Sequence, residues 1–226
     1  MGKKIAIIGG GNLGTAIAEG LLKSKFSKAA DITVTKRNTA TLKSLKDKGV
    51  NITDDNSAAV KKSEVIILAV KPFQVADVLN GIKKELAADK ILISVVTGVL
   101  ISEMEGIVKK NIAYFRAMPN TAIAIQESMT CICSKDADNP TVKYVNDLFS
   151  TVGKVVTIDE KLMEAATILA ACGTAYAMRY IRANIQGGIE IGFDAATASL
   201  ISAQTVKGAA ELLLQEYHSI VDLAKF

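Results

Sequence analysis

The segment Gly9-Gly10-Gly11-Asn12-Leu13-Gly14 constrains this chain more than any other. It follows directly on Lys4–Ile8, a short apolar run, and opens Asn12–Lys23, where apolar residues recur at helical spacing. A G-x-G-x-x-G pattern is weak by itself, since glycines are common in turns. Between a buried strand and a helix start it has a physical job. Gly9 permits a tight turn, Gly11 lets the backbone approach a diphosphate with no side chain between, and Gly14 lets the helix pack close on the strand. The helix start then offers free N–H groups and the positive end of its dipole to phosphate. The spacing therefore predicts a dinucleotide site within the first turn of the fold.

The rest of the first half repeats the alternation. Ile32–Thr35, Val65–Val70, Ile91–Val96 and Ile112–Arg116 read as strands, each a β-branched or wholly apolar run. Thr39–Lys48 closed by Gly49, Pro72 to about Leu86, and Ile101–Lys109 read as the helices between them. Strands alternating with helices predict an α/β, doubly wound parallel sheet. Met129–Cys133 and Val155–Ile158 extend it, joined by a helix over Thr141–Ser150. Beyond Asp159 the chain is Ala-rich and helical. Lys161–Gln186 forms one long helix or two, Gly187-Gly188 interrupts, Gly192 marks a stop, and Asp194 caps a last helix running to about Tyr217. Two domains are expected, 1–158 binding the dinucleotide and 159–226 all helical. Ile181, Ile185, Ile189, Leu200, Ile201, Leu212, Leu213 and Leu214 give the second domain apolar faces too wide for one short bundle, so a homodimer at least is expected.

Composition narrows the function classes. The net charge of +4 is spread along the chain with no basic run, which argues against a nucleic-acid partner and leaves a mild field for anionic ligands. Cys131, Cys133 and Cys172 are an odd, sparse set, pointing to a reducing, cytoplasmic setting rather than a disulfide framework. No metal-ligand spacing is present. Ala165–Met178, the longest uncharged stretch worth testing as a membrane span, falls short of the roughly 20 residues that a span needs. No targeting segment is expected, since Met1 runs straight into a strand with no apolar h-region, and Ala6 stands where a Met-Gly myristoylation signal wants Ser or Thr. His218 reads as a surface residue.

The end of the second strand addresses cofactor choice. An acid there binds the ribose 2′-hydroxyl of NAD, whereas this chain has Lys36-Arg37-Asn38. A carboxylate would repel a 2′-phosphate that Arg grips with a charge-assisted fork. The residues predict NADPH over NADH, with plain exposure of Lys36 and Arg37 as the alternative.

Three further stretches share their order and spacing with one family: Leu68-Ala69-Val70-Lys71-Pro72, Arg116-Ala117-Met118-Pro119-Asn120-Thr121, and Gln204-Thr205-Val206-Lys207-Gly208-Ala209-Ala210. With the glycine loop they resemble pyrroline-5-carboxylate reductase over essentially the whole chain. The resemblance implies a Rossmann-type domain with a C-terminal helical dimerisation domain. It also implies reduction of the cyclic imine of pyrroline-5-carboxylate to proline by a nicotinamide hydride. It carries Gly9, Gly11, Asn12, Leu13, Gly14, Arg37 and Asn38 to the adenosine and phosphate end, and Asn56 to the adenine-side ribose. Ala69, Val70, Lys71, Pro72, Thr97 and Gly98 then line the path to the nicotinamide, and Met118, Pro119 and Asn120 flank its ring. Pro72 and Pro119 also serve as ordinary strand-exit residues. On the substrate side the resemblance places Cys172, Gly173 and Thr174. The chemistry asks little of side chains, because the cofactor carries the hydride and a protonated imine is already electrophilic.

The chain departs from the family in three places, the smallest being Ala122 after Thr121, where the family usually has Pro. The family's Ser-Gly-Ser-Gly-Pro-Ala-Tyr stretch reads here Ala170-Ala171-Cys172-Gly173-Thr174-Ala175-Tyr176, so hydroxyls are lost and only Thr174 restores one. The family's His-Pro pair is Ser219-Ile220, and Phe226 comes a few residues before the loop that binds the substrate carboxylate. A longer parent protein is the expectation, and a paralogue without the loop the alternative. Two other functions stay open: a related NADP-dependent reductase of another imine or a β-hydroxyacid, and a catalytically weak NADP-binding protein.

Overall fold

A computed structural model of the chain describes residues 2–215. Its sheet has eight strands in the order β3-β2-β1-β4-β5-β6-β7-β8. These are β1 (Ile5–Ile8), β2 (Ile32–Thr35), β3 (Asn51–Thr53), β4 (Val65–Leu68), β5 (Ile91–Ser94), β6 (Ala113–Met118), β7 (Ser128–Lys135) and β8 (Gly153–Thr157). The helices are α1 (Asn12–Lys23), α2 (Lys43–Asp47), α3 (Asn56–Lys61), α4 (Val75–Ile82), α5 (Ile101–Val108), α6 (Asn139–Ser150), α7 (Met163–Ala166), α8 (Gly173–Glu190) and α9 (Ala195–Gln215).

The sheet is covered on both faces, which explains why its strands read as unbroken apolar runs. Along β1, Ile5 and Ile7 point into one core with Ile17, Leu21 and Phe149, while Ala6 and Ile8 point into the other with Leu79, Leu92 and Met104. The first three strands wind one way from β1 and β4 returns to its other side, leaving a topological switch point between β1 and β4. Ligands bind such sheets beyond the strand carboxyl ends at that point.

Several local expectations change. β7 runs antiparallel to β6, so the sheet is not wholly parallel. Its link to β6 holds only a tight 3₁₀ turn, Thr121–Ile125, too short for the crossover that parallel pairing needs. β3 and α3 were not foreseen, because a three-residue strand with Asn51 exposed carries almost no periodic signal. Thr39–Lys48 divides into a 3₁₀ turn and α2, and Pro72 opens a 3₁₀ turn ahead of a shorter α4. Gly187-Gly188 does not interrupt: α8 runs through both. A Cβ on Gly188 would lie 3.1 Å from Ala198 Cβ, so this glycine serves the close approach of α9 rather than a break. Asp194 caps α9 as expected, its carboxylate accepting from the N–H groups of Ala196 and Thr197. His218 and Tyr217 lie outside the described residues.

The chain divides into two compact units between Cys172 and Gly173, later than the 158/159 boundary read from composition. Residues 159–172 change in character yet stay with the sheet, because Met163 and Ala166 are buried in its second core. Among the described residues no helix is long and apolar enough to cross a membrane.

Candidate functional site

A cleft of about 630 Å³ lies where the switch point leads one to look. Its floor is the carboxyl ends of three adjacent strands: Ile8 and Gly9 after β1, Thr35 and Lys36 after β2, Ala69 and Val70 after β4. The turn after β1 is tied down by Gly9 N–H and Gly10 N–H, which donate to Thr35 O at 3.2 and 2.7 Å.

Two glycines of this turn are required by geometry. Gly9 has φ +111°, and a Cβ there would stand 2.4 Å from Ala69 O. A Cβ on Gly14 would stand 2.1 Å from Gly9 O, so the first turn of α1 closes on the strand only without one. Gly11 is different: a Cβ there would meet nothing within 4 Å, so packing alone does not ask for a glycine. Its exposed backbone faces a space open to a ligand. Gly11 caps α1 without any side-chain hydrogen bond, and no acid stands in the first turn. The leading amides of a helix lack intrahelical acceptors, so this end is left for an anion.

The cleft gathers Gly9, Gly11, Asn12, Leu13, Arg37, Asn56, Ala69, Val70 and Lys71 of the expected cofactor residues. Lys36, Arg37 and Lys71 make its rim cationic, with Asp54 the one acid lining it. Open helix amides beside three cations fit a dinucleotide carrying several phosphates. The sequence reading missed Asp54, Gln74, Val78 and Val95 as lining residues. Asp54 follows the unforeseen β3. Gln74 lies in the turn after Pro72, with its Oε1 accepting from Lys71 N–H.

Other expected residues lie elsewhere. Gly14 is buried behind the turn. The Asn38 carboxamide is engaged as a cap, accepting from Ala40 N–H, and does not line the cleft. Pro72, Thr97, Gly98, Met118, Pro119 and Asn120 are also not among its lining residues. Thr97 and Met118 instead meet each other across the ends of β5 and β6, Thr97 Oγ1 lying 3.9 Å from Met118 Sδ. Asn120 Oδ1 accepts from Ala122 N–H at 3.0 Å, and its Nδ2 donates to Ala170 O at 3.4 Å. Cys172 is exposed at the end of a π turn, Thr167–Ala171, while Gly173 and Thr174 open α8 in the other unit.

Arg116 is buried in β6, two residues before Met118. It pairs with Glu160 at 2.9 Å, and the same carboxylate oxygen accepts from Ile101 N–H at 2.8 Å. Cys133 lies opposite Arg116 on β7. Burial pushes its thiol up to about 11, with Glu160 adding to the shift and Arg116 opposing it. Cys131 is raised by burial as well, so both behave as strand residues rather than nucleophiles.

Comparison with known proteins agrees with both halves of the molecule. Residues 4–98 match a family model described as NADP oxidoreductase, coenzyme F420-dependent, and residues 160–225 match one described as pyrroline-5-carboxylate reductase dimerisation. Pyrroline-5-carboxylate reductase 2 of Dictyostelium discoideum is 41% identical over 94% of this chain and 77% of its own length. Pyrroline-5-carboxylate reductase 1 of the same organism is 40% identical over 98% of this chain, which spans 42% of that longer protein. The crystal structure of Plasmodium falciparum pyrroline carboxylate reductase with NADP bound superposes with a TM-score of 0.87 at 30% identity, covering 98% of this chain and 82% of that one. A glycine turn at the switch point, a cationic rim and a matching helical domain thus occur together along one sequence, and the chain belongs to the pyrroline-5-carboxylate reductase family.

Proposed function

We propose that this protein reduces 1-pyrroline-5-carboxylate to L-proline with NADPH, the closing step of proline biosynthesis. The observation that carries the reading is the cradle itself: Gly11 with open space where a Cβ would be, beside unpartnered helix amides and the Lys36–Arg37 pair. NADPH, when bound, supplies the hydride.

This chain's own residues do the binding and orienting. The amides around Gly11, Asn12 and Leu13 hold the diphosphate, with Gly9 and Gly14 shaping the turn behind them. Arg37 and Lys36 grip the 2′-phosphate; Asn38, by capping the next turn, sets the backbone that carries Arg37. Asn56 contacts the adenine-side ribose. Ala69, Val70, Lys71 and Pro72 lead toward the nicotinamide end, where Thr97, Gly98, Met118, Pro119 and Asn120 surround the ring. Cys172, Gly173 and Thr174 line the substrate side. Holding donor and acceptor in register and excluding water accounts for most of the rate such a site needs. The imine nitrogen is taken to be protonated before hydride arrives, which leaves no covalent step to a side chain.

The second unit supports a homodimer. Leu200, Ile191 and Leu214 are respectively 70%, 79% and 65% exposed in a single chain, and a second copy packed on these helices would cover them. A cytoplasmic location suits three unpaired cysteines, two of them buried.

The test supplies NADPH and pyrroline-5-carboxylate to the complete product of the gene and follows loss of the nicotinamide absorbance. Turnover is expected, with NADH a poorer donor. Turnover only with a different cyclic imine would favour a related reductase, for which the altered Ala170–Thr174 stretch is the motive. Tight NADPH binding without turnover on any imine would favour a weakly catalytic NADP-binding protein.

A further inference from the structure

Arg116 is a cation in an apolar strand: it is 3% exposed in β6, and its Nε has no hydrogen-bond partner. Its one ionic contact is through Nη1 to Glu160. A pair selected for stability would use the two-pronged fork that guanidinium and carboxylate allow. Arg116 is buried while Glu160 stays 34% exposed, and a pair that buries a charge is in any case a poor stabiliser against an apolar replacement. The geometry suggests another use. One oxygen, Oε1 of Glu160, receives both Arg116 Nη1 and the N–H of Ile101. Three segments are thereby held at one point: β6 two residues before Met118, the start of α5 just after the Thr97–Leu100 loop, and the stretch that begins at Glu160.

The same three segments meet a second time farther along. Thr97 reaches Met118, and Asn120 reaches Ala170. The second set of contacts is long and weak at 3.9 and 3.4 Å, so it cannot set its own spacing. The short, charge-assisted contacts at Glu160 can. We propose that Arg116 and Glu160 are positioning residues: they fix the separation of the Thr97–Gly98 loop, the Met118–Asn120 loop and residues 163–171 without touching any ligand. The proposal rests on the reading of these loops as the nicotinamide end.

The test uses the complete gene product. Glu160→Ala strands a buried guanidinium and is liable to misfold, so the informative variant is the double Arg116→Met/Glu160→Gln. It removes both charges, while the amide oxygen still serves Ile101 N–H. Its kcat is expected to fall about ten- to a hundredfold, the scale of an ångström of misplacement, with NADPH affinity within about twofold of the parent. Hydrogen exchange in peptides covering 97–101 and 118–122 is expected to quicken, with 9–14 unchanged. Arg116→Lys, which keeps a cation for Glu160, is expected to recover part of kcat. Unchanged exchange at both loops overturns the proposal, as does exchange that quickens everywhere with NADPH affinity falling in step. If the parent protein reduces no pyrroline-5-carboxylate, the reaction assigned above fails instead, and the exchange pattern alone decides the role of the pair.

Discussion

The two units of this chain handle their apolar surface in opposite ways. In the sheet unit the central strands β1, β4 and β5 are sealed: Ile5, Ile7, Ile66, Ile67, Leu92 and Ile93 are all fully buried. From Gly173 onward, Ala198 is the only buried residue among those described, while Tyr176, Met178, Ile191 and Leu200 are exposed. The sheet closes on itself because helices cover both faces within one chain. The described residues of α8, α9 and the link between them leave apolar side chains such as Leu200 and Phe193 uncovered. One unit is thus closed over its own core and carries the cleft, while the other leaves apolar helix faces uncovered.

The contrast is most exposed to failure at Leu200. Leu200→Asp should leave the folded sheet unit unaffected and abolish dimerisation, because a carboxylate buried in an apolar interface costs several kcal/mol. Sedimentation reading a monomer with retained NADPH binding is the expected result; an intact dimer would show that the α8 and α9 faces are not the interface. Next in size is Gly14→Ala, whose Cβ would press on Gly9 O and loosen the sheet unit by about 3 kcal/mol, seen as a lowered Tm. Gly11→Val sharpens the point within the same motif. Its side chain enters open space, so Tm should hold, while NADPH affinity falls by about a hundredfold as the diphosphate loses its approach.

Arg37→Ala comes next. It should weaken NADPH by about ten- to a hundredfold, the worth of a charge-assisted hydrogen bond, and NADH far less. Equal losses by titration would remove Arg37 from the 2′-phosphate. The smallest effect concerns the sealed core. The folded-state pKa of Cys133 lies near 11 against an ordinary 9.0, raised first by burial. The stability that the neutral thiol contributes is complete below pH 9 and is lost as pH rises through about 11. Denaturant titrations should therefore show an alkaline loss of ~1–3 kcal/mol that Cys133→Ala removes. The helical unit contains no cysteine and offers no counterpart to this effect.

Much of the site was legible because it rests on local rules. The glycine turn was readable from a strand, three glycines and a helix start, and Arg37 from its place at the end of β2. Asp54 was hidden because β3 shows only three residues of weak pattern, and Gln74 because nothing in a lone amide marks it. The Arg116–Glu160 contact joins positions far apart in sequence, and no periodicity announces it.

Local order was therefore written into the residues: apolar runs that must be buried on both faces, glycines where a Cβ would collide, an acid capping α9, and helical faces broad enough to require a partner. These follow from sterics and hydration acting within a few residues of chain. Tertiary structure alone decided that β7 turns back antiparallel, that residues 159–172 stay with the sheet despite their helical composition, and that one carboxylate oxygen ties β6 to the start of α5. Each of those depends on which distant segment arrives alongside, and a chain carries no local mark of its future neighbour.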